Sequence, residues 1–161
     1  MIRTNGSSFT RAFAIAAALL LLVLPRPAAA SLGGDASTVD RDRAQIRGAL
    51  VRIMRADSHV MHEMQTPSGA MVREYVSSTG VVFAVSWQGA FTPDLRQVLG
   101  AYYDRYVQRA QQIQRERRSR GPVTVQENDF VVQVSGHQRA FVGHAYLPGR
   151  LPAGFSLQSL Q

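Results

Sequence analysis

His59, His62 and Glu63 form an H-x-x-H-E string, the residue types that bind zinc and activate its water. On a helix that chemistry needs two histidines four apart with the glutamate between them, so that both imidazoles reach the metal from one face. Here the glutamate follows both histidines, and the surrounding residues alternate as in a strand. His59 and His62 therefore point to opposite faces. His137 and His144 complete the four histidines without adding a ligand spacing, so no metal site is expected. Glu63, Glu74, Asp94 and Asp104 could supply paired carboxylates for acid–base work. Each has a structural use instead: the glutamates face cross-strand partners, Asp94 opens a helix, and Asp104 lies on a solvated helix face. The chain has no G-x-S-x-G elbow, S-x-x-K, P-loop or dinucleotide fingerprint, and Gly33-Gly34 lacks the strand and helix of a phosphate cradle. No catalytic residue and no cofactor is expected. A hydrolase or metal enzyme built on His62, Glu63 and Glu74 remains the alternative.

Binding is the other chemistry these residues offer. Arg73 and Glu74 are charged positions inside an otherwise apolar run, and Tyr75 follows them. Trp87, the single tryptophan, reads as a core anchor or a recognition surface. His62, Glu63, Arg73, Glu74, Tyr75 and Trp87 are therefore the candidate binding residues. A second candidate is basic: Arg109, Arg115, Arg117, Arg118 and Arg120. Cations at a helix C-terminus are favoured by the backbone dipole, which explains the cluster without a ligand. As a site it would take anionic lipid or lipopolysaccharide.

Three strand-like runs must position the first set: Ser58 to Gln65, Ala70 to Ser77 and Val81 to Gln88. Thr66-Pro67-Ser68-Gly69 and Ser77-Ser78-Thr79-Gly80 fit a type I turn followed by a left-handed glycine. In the first hairpin this register sets Glu63 opposite Arg73 and His62 opposite Glu74. A two-residue loop would lose both complementary pairs, each worth roughly 0.2–1 kcal/mol. In the second it sets Tyr75 opposite Phe83 and Met71 opposite Trp87. Val81, Phe83, Val85 and Trp87 would then share a face with Met61, Met71 and Tyr75, and Val82 and Ala84 would join Val60, Met64, Val72 and Val76 on the other.

Thr92-Pro93-Asp94 starts a helix, with Thr92 as its cap. Leu95, Val98, Leu99, Tyr102, Tyr106, Ala110 and Ile113 form its apolar stripe up to about Arg117, and Gly121-Pro122 ends it. Val123 to Ser135 and Arg139 to Leu147 read as two more strands. The expected fold is α+β, an antiparallel meander of about five strands with one long amphipathic helix on a face. Upstream, Ser31 to Thr38 reads as a flexible end and Val39 to Leu50 as a short helix, weakened by Gly48. The chain thus divides into a leader (1–30), an N-terminal segment (31–56), one domain (57–148) and an irregular tail (149–161).

The leader has the order of a secretory signal peptide. Arg3 and Arg11 precede the apolar run Ala12 to Leu24, Pro25 breaks it, and Ala28-Ala29-Ala30 offers small residues for cleavage before Ser31. Thirteen apolar residues are fewer than the roughly 20 that span a bilayer. Cleavage near Ala30-Ser31 would deliver a periplasmic or secreted protein with no transmembrane segment. The chain of 161 residues has no cysteine, so no disulfide or thiolate site holds it. Its formal charge is +7, but the mature form would keep 15 arginines against 11 acids, a charge of +4. An exported domain of that charge is not expected to meet nucleic acid.

The order of several strings resembles a known family. Leu32-Gly33-Gly34, His62-Glu63, Thr66-Pro67-Ser68-Gly69 and Val72-Arg73-Glu74-Tyr75-Val76-Ser77 are followed by Phe83-Ala84-Val85 and Trp87-Gln88-Gly89. Pro93-Asp94-Leu95, Gly121-Pro122-Val123, Arg139-Ala140-Phe141 and Ala145-Tyr146-Leu147-Pro148 complete the series. Together they resemble the DUF2844 family of small exported proteobacterial proteins of unknown function. The resemblance implies an envelope or secreted location and carries over no catalytic residue, cofactor or substrate. The reading is a non-catalytic binding or accessory module of the bacterial cell envelope, with an unidentified envelope protein or ligand as partner.

Overall fold

Thr66-Pro67-Ser68-Gly69 and Ser77-Ser78-Thr79-Gly80 turn the chain as their side chains require. The Thr66 and Ser77 amides donate to Ala70 O and Val81 O at 2.8 and 2.9 Å. Gly69 and Gly80 take φ of 83° and 81°, which a side chain would resist. The computed structural model describes residues 32–35, 49–118 and 121–160. Its strands are β1 (Ala49–Arg55), β2 (His59–Gln65), β3 (Met71–Ser77), β4 (Val82–Gly89), β5 (Val123–Gln126), β6 (Val131–His137) and β7 (Ala140–Tyr146). Helices α1 (Leu95–Leu99) and α2 (Tyr103–Arg117) lie between β4 and β5, joined by the 3-10 turn Gly100–Tyr102. The strands form one sheet in the order β1-β2-β3-β4-β7-β6-β5, every neighbour antiparallel.

The fold is α+β as expected, but the sheet has seven strands rather than five. One extra strand is β1, where Ala49 and Leu50 were expected to end a helix. The segment lacks alternation because it is exposed on both faces. It is a strand because the outer edge of β2 offers it a hydrogen-bond ladder. The other arises because Val123 to Ser135 is broken at Glu127-Asn128-Asp129-Phe130, a tight turn closed by Glu127 N–H on Phe130 O at 2.9 Å. The leader, residues 31 and 36–38, and residues 39–48 of the expected first helix lie outside the described residues. Leu32 to Asp35 are not a loose end. The Leu32 amide reaches Val98 O, Gly33 and Gly34 bond to Val82, and Leu32 is 2 % exposed.

The first hairpin keeps its expected register, with Glu63 opposite Arg73 and His62 opposite Glu74. The second begins as expected, Val76 opposite Val82, then slips by one residue. Tyr75 faces Ala84 instead of Phe83, and Met71 faces Gln88 instead of Trp87. Phe83 is the extra residue of a β-bulge, and both Phe83 and Ala84 pack on the face away from the helix. Val85 and Trp87 are thereby turned to the helix face, with Met64, Val72, Val76 and Val82. The expected division of β4 between faces is thus inverted beyond Phe83.

Val98, Leu99, Tyr106 and Ala110 bury the helix stripe against that face. The cap is Asp94 rather than Thr92: its Oδ1 accepts the Arg96 amide at 2.9 Å. Gly100, at φ 51° and ψ −120°, interrupts the expected continuous α-helix, which passes through the 3-10 turn there. On the opposite face the chain after β7 folds back through two 3-10 turns, Pro148–Arg150 and Leu157–Leu160. Phe155 and Leu160 pack on Met61, Tyr75 and Phe83 there.

Candidate binding site

A register line of polar residues crosses all seven strands on the face away from the helix. It runs Arg52, Glu63, Arg73, Ser86, His144, Gln133, Thr124, each directly opposite the next. Antiparallel partners share a face, so strand pairing alone brings these seven together. Arg73 Nε donates to Glu63 Oε2 at 2.7 Å. Glu63 is buried and Arg73 partly so, which makes the pair stronger than a solvated one. Ser86 is buried between Arg73 and His144. The His144 imidazole is held below its usual range by desolvation, and it stacks near Tyr146.

At one end of this line lies a cleft of about 450 Å³ between β1, β2, β3 and the last 3-10 turn. Met54, Met61, His59 and Tyr75 give it apolar and aromatic walls, and Arg55 and Arg73 give it cations. The Tyr75 hydroxyl donates to Ser159 O at 2.8 Å, tying the tail to the wall. His59 packs against Tyr75, Phe83 and Phe155, at 5.8, 6.1 and 5.1 Å between ring centroids. Burial lowers its pKa, so the imidazole is neutral near pH 7.

The six residues singled out for binding are divided by the sheet. Glu63, Arg73 and Tyr75 lie on the cleft face, whereas His62, Glu74 and Trp87 lie on the helix face. Glu74 is 1 % exposed and Trp87 2 % exposed, both closed to solvent. Trp87 lies in a slot left by Gly143, whose missing Cβ would fall 2.6 Å from Trp87 Cε2. Among the described residues no three His, Asp or Glu side chains are placed to hold a metal ion. The residues missed in the sequence are Met54, Arg55, His59, Met61 and Ser159. His59 had a signal in the H-x-x-H-E string; Ser159, from an irregular tail, had none.

The arginine cluster is spread along α2 and beyond its end. Arg109 bonds Gln112 at 2.7 Å and approaches Glu127 at 3.8 Å, and Arg117 donates to Pro122 O at 3.4 Å. Arg115 lies in the last turn, and Arg118 takes a left-handed φ of 51° as the C-cap. Arg120 lies outside the described residues. A stronger ionic knot forms at Arg105, which the sequence did not single out. Its guanidinium holds Asp129 at 2.7 and 2.8 Å, also bonds Glu127, and lies 4.8 Å over the Phe130 ring. The Arg105 hydrogen bond pulls the Asp129 carboxyl below its ordinary range.

A family model described as "Protein of unknown function (DUF2844)" matches residues 28–160, most of the chain. The chain belongs to the DUF2844 family. No curated protein and no solved structure matches it. The matched residues of this DUF2844 member include every element of the sheet, the cleft and the tail that packs beside it. No helix among the described residues is long and apolar enough to cross a membrane.

Proposed function

We propose that the protein is an exported, non-catalytic binding module of the bacterial cell envelope. It docks an extended, acidic and apolar segment of a partner protein along the outer edge of β1, which pairs with no second strand among the described residues. The observation that carries this reading is β1, the terminal strand of the sheet. Val51, Ile53 and Met54 on this one strand are 52, 42 and 49 % exposed, half of the large apolar residues exposed among the described residues. An outer strand presents unpaired main-chain donors and acceptors, to which an extended peptide adds as a further strand. Arg52 and Arg55 form no ion pair among the described residues, so carboxylates on the incoming strand are favoured. A second copy would bring two more arginines to the same edge. Export is supported by the order of charge, apolar run and small residues in the leader.

Capture from envelope extract tests the reading. Immobilised mature protein should retain a partner that is lost with Val51→Asp combined with Arg52→Gln and kept with Arg109→Gln. Hydrogen exchange in the complex should protect the β1 amides. Capture indifferent to the edge variant overturns the proposal, as does a homodimer that the same variant dissociates. The export limb is read by intact mass, which should begin at Ser31; an unprocessed cytoplasmic chain would refute it.

A further inference from the structure

The cleft beside β1 shares Met54 and Arg55 with the edge but adds His59, Met61, Arg73 and Tyr75, which give it a chemistry of its own. Its walls are a thioether surface from Met54 and Met61 and two rings, His59 and Tyr75. Such walls offer contact area to an apolar body, with the Tyr75 hydroxyl already committed to Ser159 O. The volume of about 450 Å³ falls within the range of small-molecule sites and far exceeds the space a simple inorganic ion needs.

The cations decide the rest. A guanidinium carries five N–H donors, and Arg73 commits its Nε–H to Glu63. Its terminal Nη groups make no hydrogen bond among the described residues, which leaves the fork that matches a planar carboxylate. Glu63 does two things at once: it fixes the orientation of that fork and cancels one unit of charge. Arg55 lines the same cleft and makes no ion pair among the described residues. The neutral His59 adds no charge near pH 7. Arg52, opposite Glu63 on the same face, adds a further cation, so the cleft carries a net positive charge suited to an anion.

We infer that this cleft binds a carboxylate carried on an apolar body, such as a medium-chain or arylalkyl acid. The acid group meets the Arg73 fork and Arg55, and the body lies on Met54, Met61, His59 and Tyr75. The closed tail sets one limit of the site, because Ser159 is held to Tyr75 by a hydrogen bond.

Octanoate, octanamide and octyl phosphate added to the isotopically labelled mature protein test the assignment. Octanoate should shift the amide signals of Met61, Arg73 and Tyr75 and leave those of β5 unmoved. Octanamide should bind at least about tenfold more weakly, since it keeps the body and loses the charge. Arg55→Gln, at an exposed position without an ion-pair partner among the described residues, should weaken octanoate about tenfold with no change in folding. Arg73→Lys keeps a cation for Glu63 but removes the fork, and should weaken octanoate as well. Equal binding of the amide, tighter binding of the phosphate, shifts outside the cleft, or no shift at all would each overturn the inference. None of these outcomes bears on capture of a partner at β1, so the two proposals fail separately.

Discussion

At His59 and His144 the protein holds two imidazoles in their neutral form. Burial lowers both pKa values from an ordinary value of about 6.5. The folded chain then binds fewer protons than the unfolded chain between the depressed value and 6.5. Stability is complete above about pH 6.5, falls as the pH drops through the window below it, and levels once both folded histidines are charged. Melting temperature measured against pH should show that fall, and His59→Gln with His144→Gln should flatten it. Gly143 shows a different residue-scale constraint. A Cβ there would press on the Trp87 ring, so Gly143→Ala should destabilise by about 1–3 kcal/mol in denaturant unfolding. The Glu63–Arg73 pairing was legible from turn chemistry, because Thr66 to Gly69 fixed which residues stood opposite. The Gly143–Trp87 contact was not, since the two residues belong to strands separated by α1, α2 and two further strands.

Among the elements, the bulge in β4 has the largest consequence for which side chains share a face. Val81 to Trp87 is apolar on nearly every position, so alternation could not reveal where the chain slips. The slip is decided by filling two faces: Phe83 is needed with Tyr75 and Phe155 on one, Trp87 against the helix on the other. Deleting Phe83 would restore a plain ladder with Val85 and Trp87 still on the helix face, and would empty the place Phe83 fills between Tyr75 and Phe155. The expected outcome is a loss of about 3–5 kcal/mol in denaturant unfolding with the near-ultraviolet dichroism of Trp87 kept. The helix start is a milder test. Asp94→Ala removes the side chain that accepts the Arg96 amide, and should cost about 1 kcal/mol in denaturant unfolding. Helix existence was readable because its stripe recurs at spacings of three and four. Its joint at Gly100 was readable only as a glycine, since many helical glycines leave φ unchanged.

For the whole molecule, the tail after Leu147 closes the second face of the sheet. Phe155 lies edge-on to Phe83 at 4.8 Å between centroids, and Leu160 is 1 % exposed. Ending the chain at Leu147 should cost on the order of 3–5 kcal/mol, from two large apolar side chains no longer buried. It should also raise binding of an apolar dye at the uncovered face; unchanged melting and dye fluorescence would contradict this packing. Local chemistry in the sequence determined the two glycine turns, the first hairpin register, the helix and the α+β class, because each depends on residues close along the chain. The family was legible there too, in strings such as Val72-Arg73-Glu74-Tyr75-Val76-Ser77. Tertiary structure alone decided that β1 joins the sheet, that β4 bulges, and that β7 inserts beside β4. It also decided that His59, Arg73 and Ser159 meet in one cleft. Those outcomes depend on which distant surfaces can be buried together, and no spacing along one chain encodes that choice by itself.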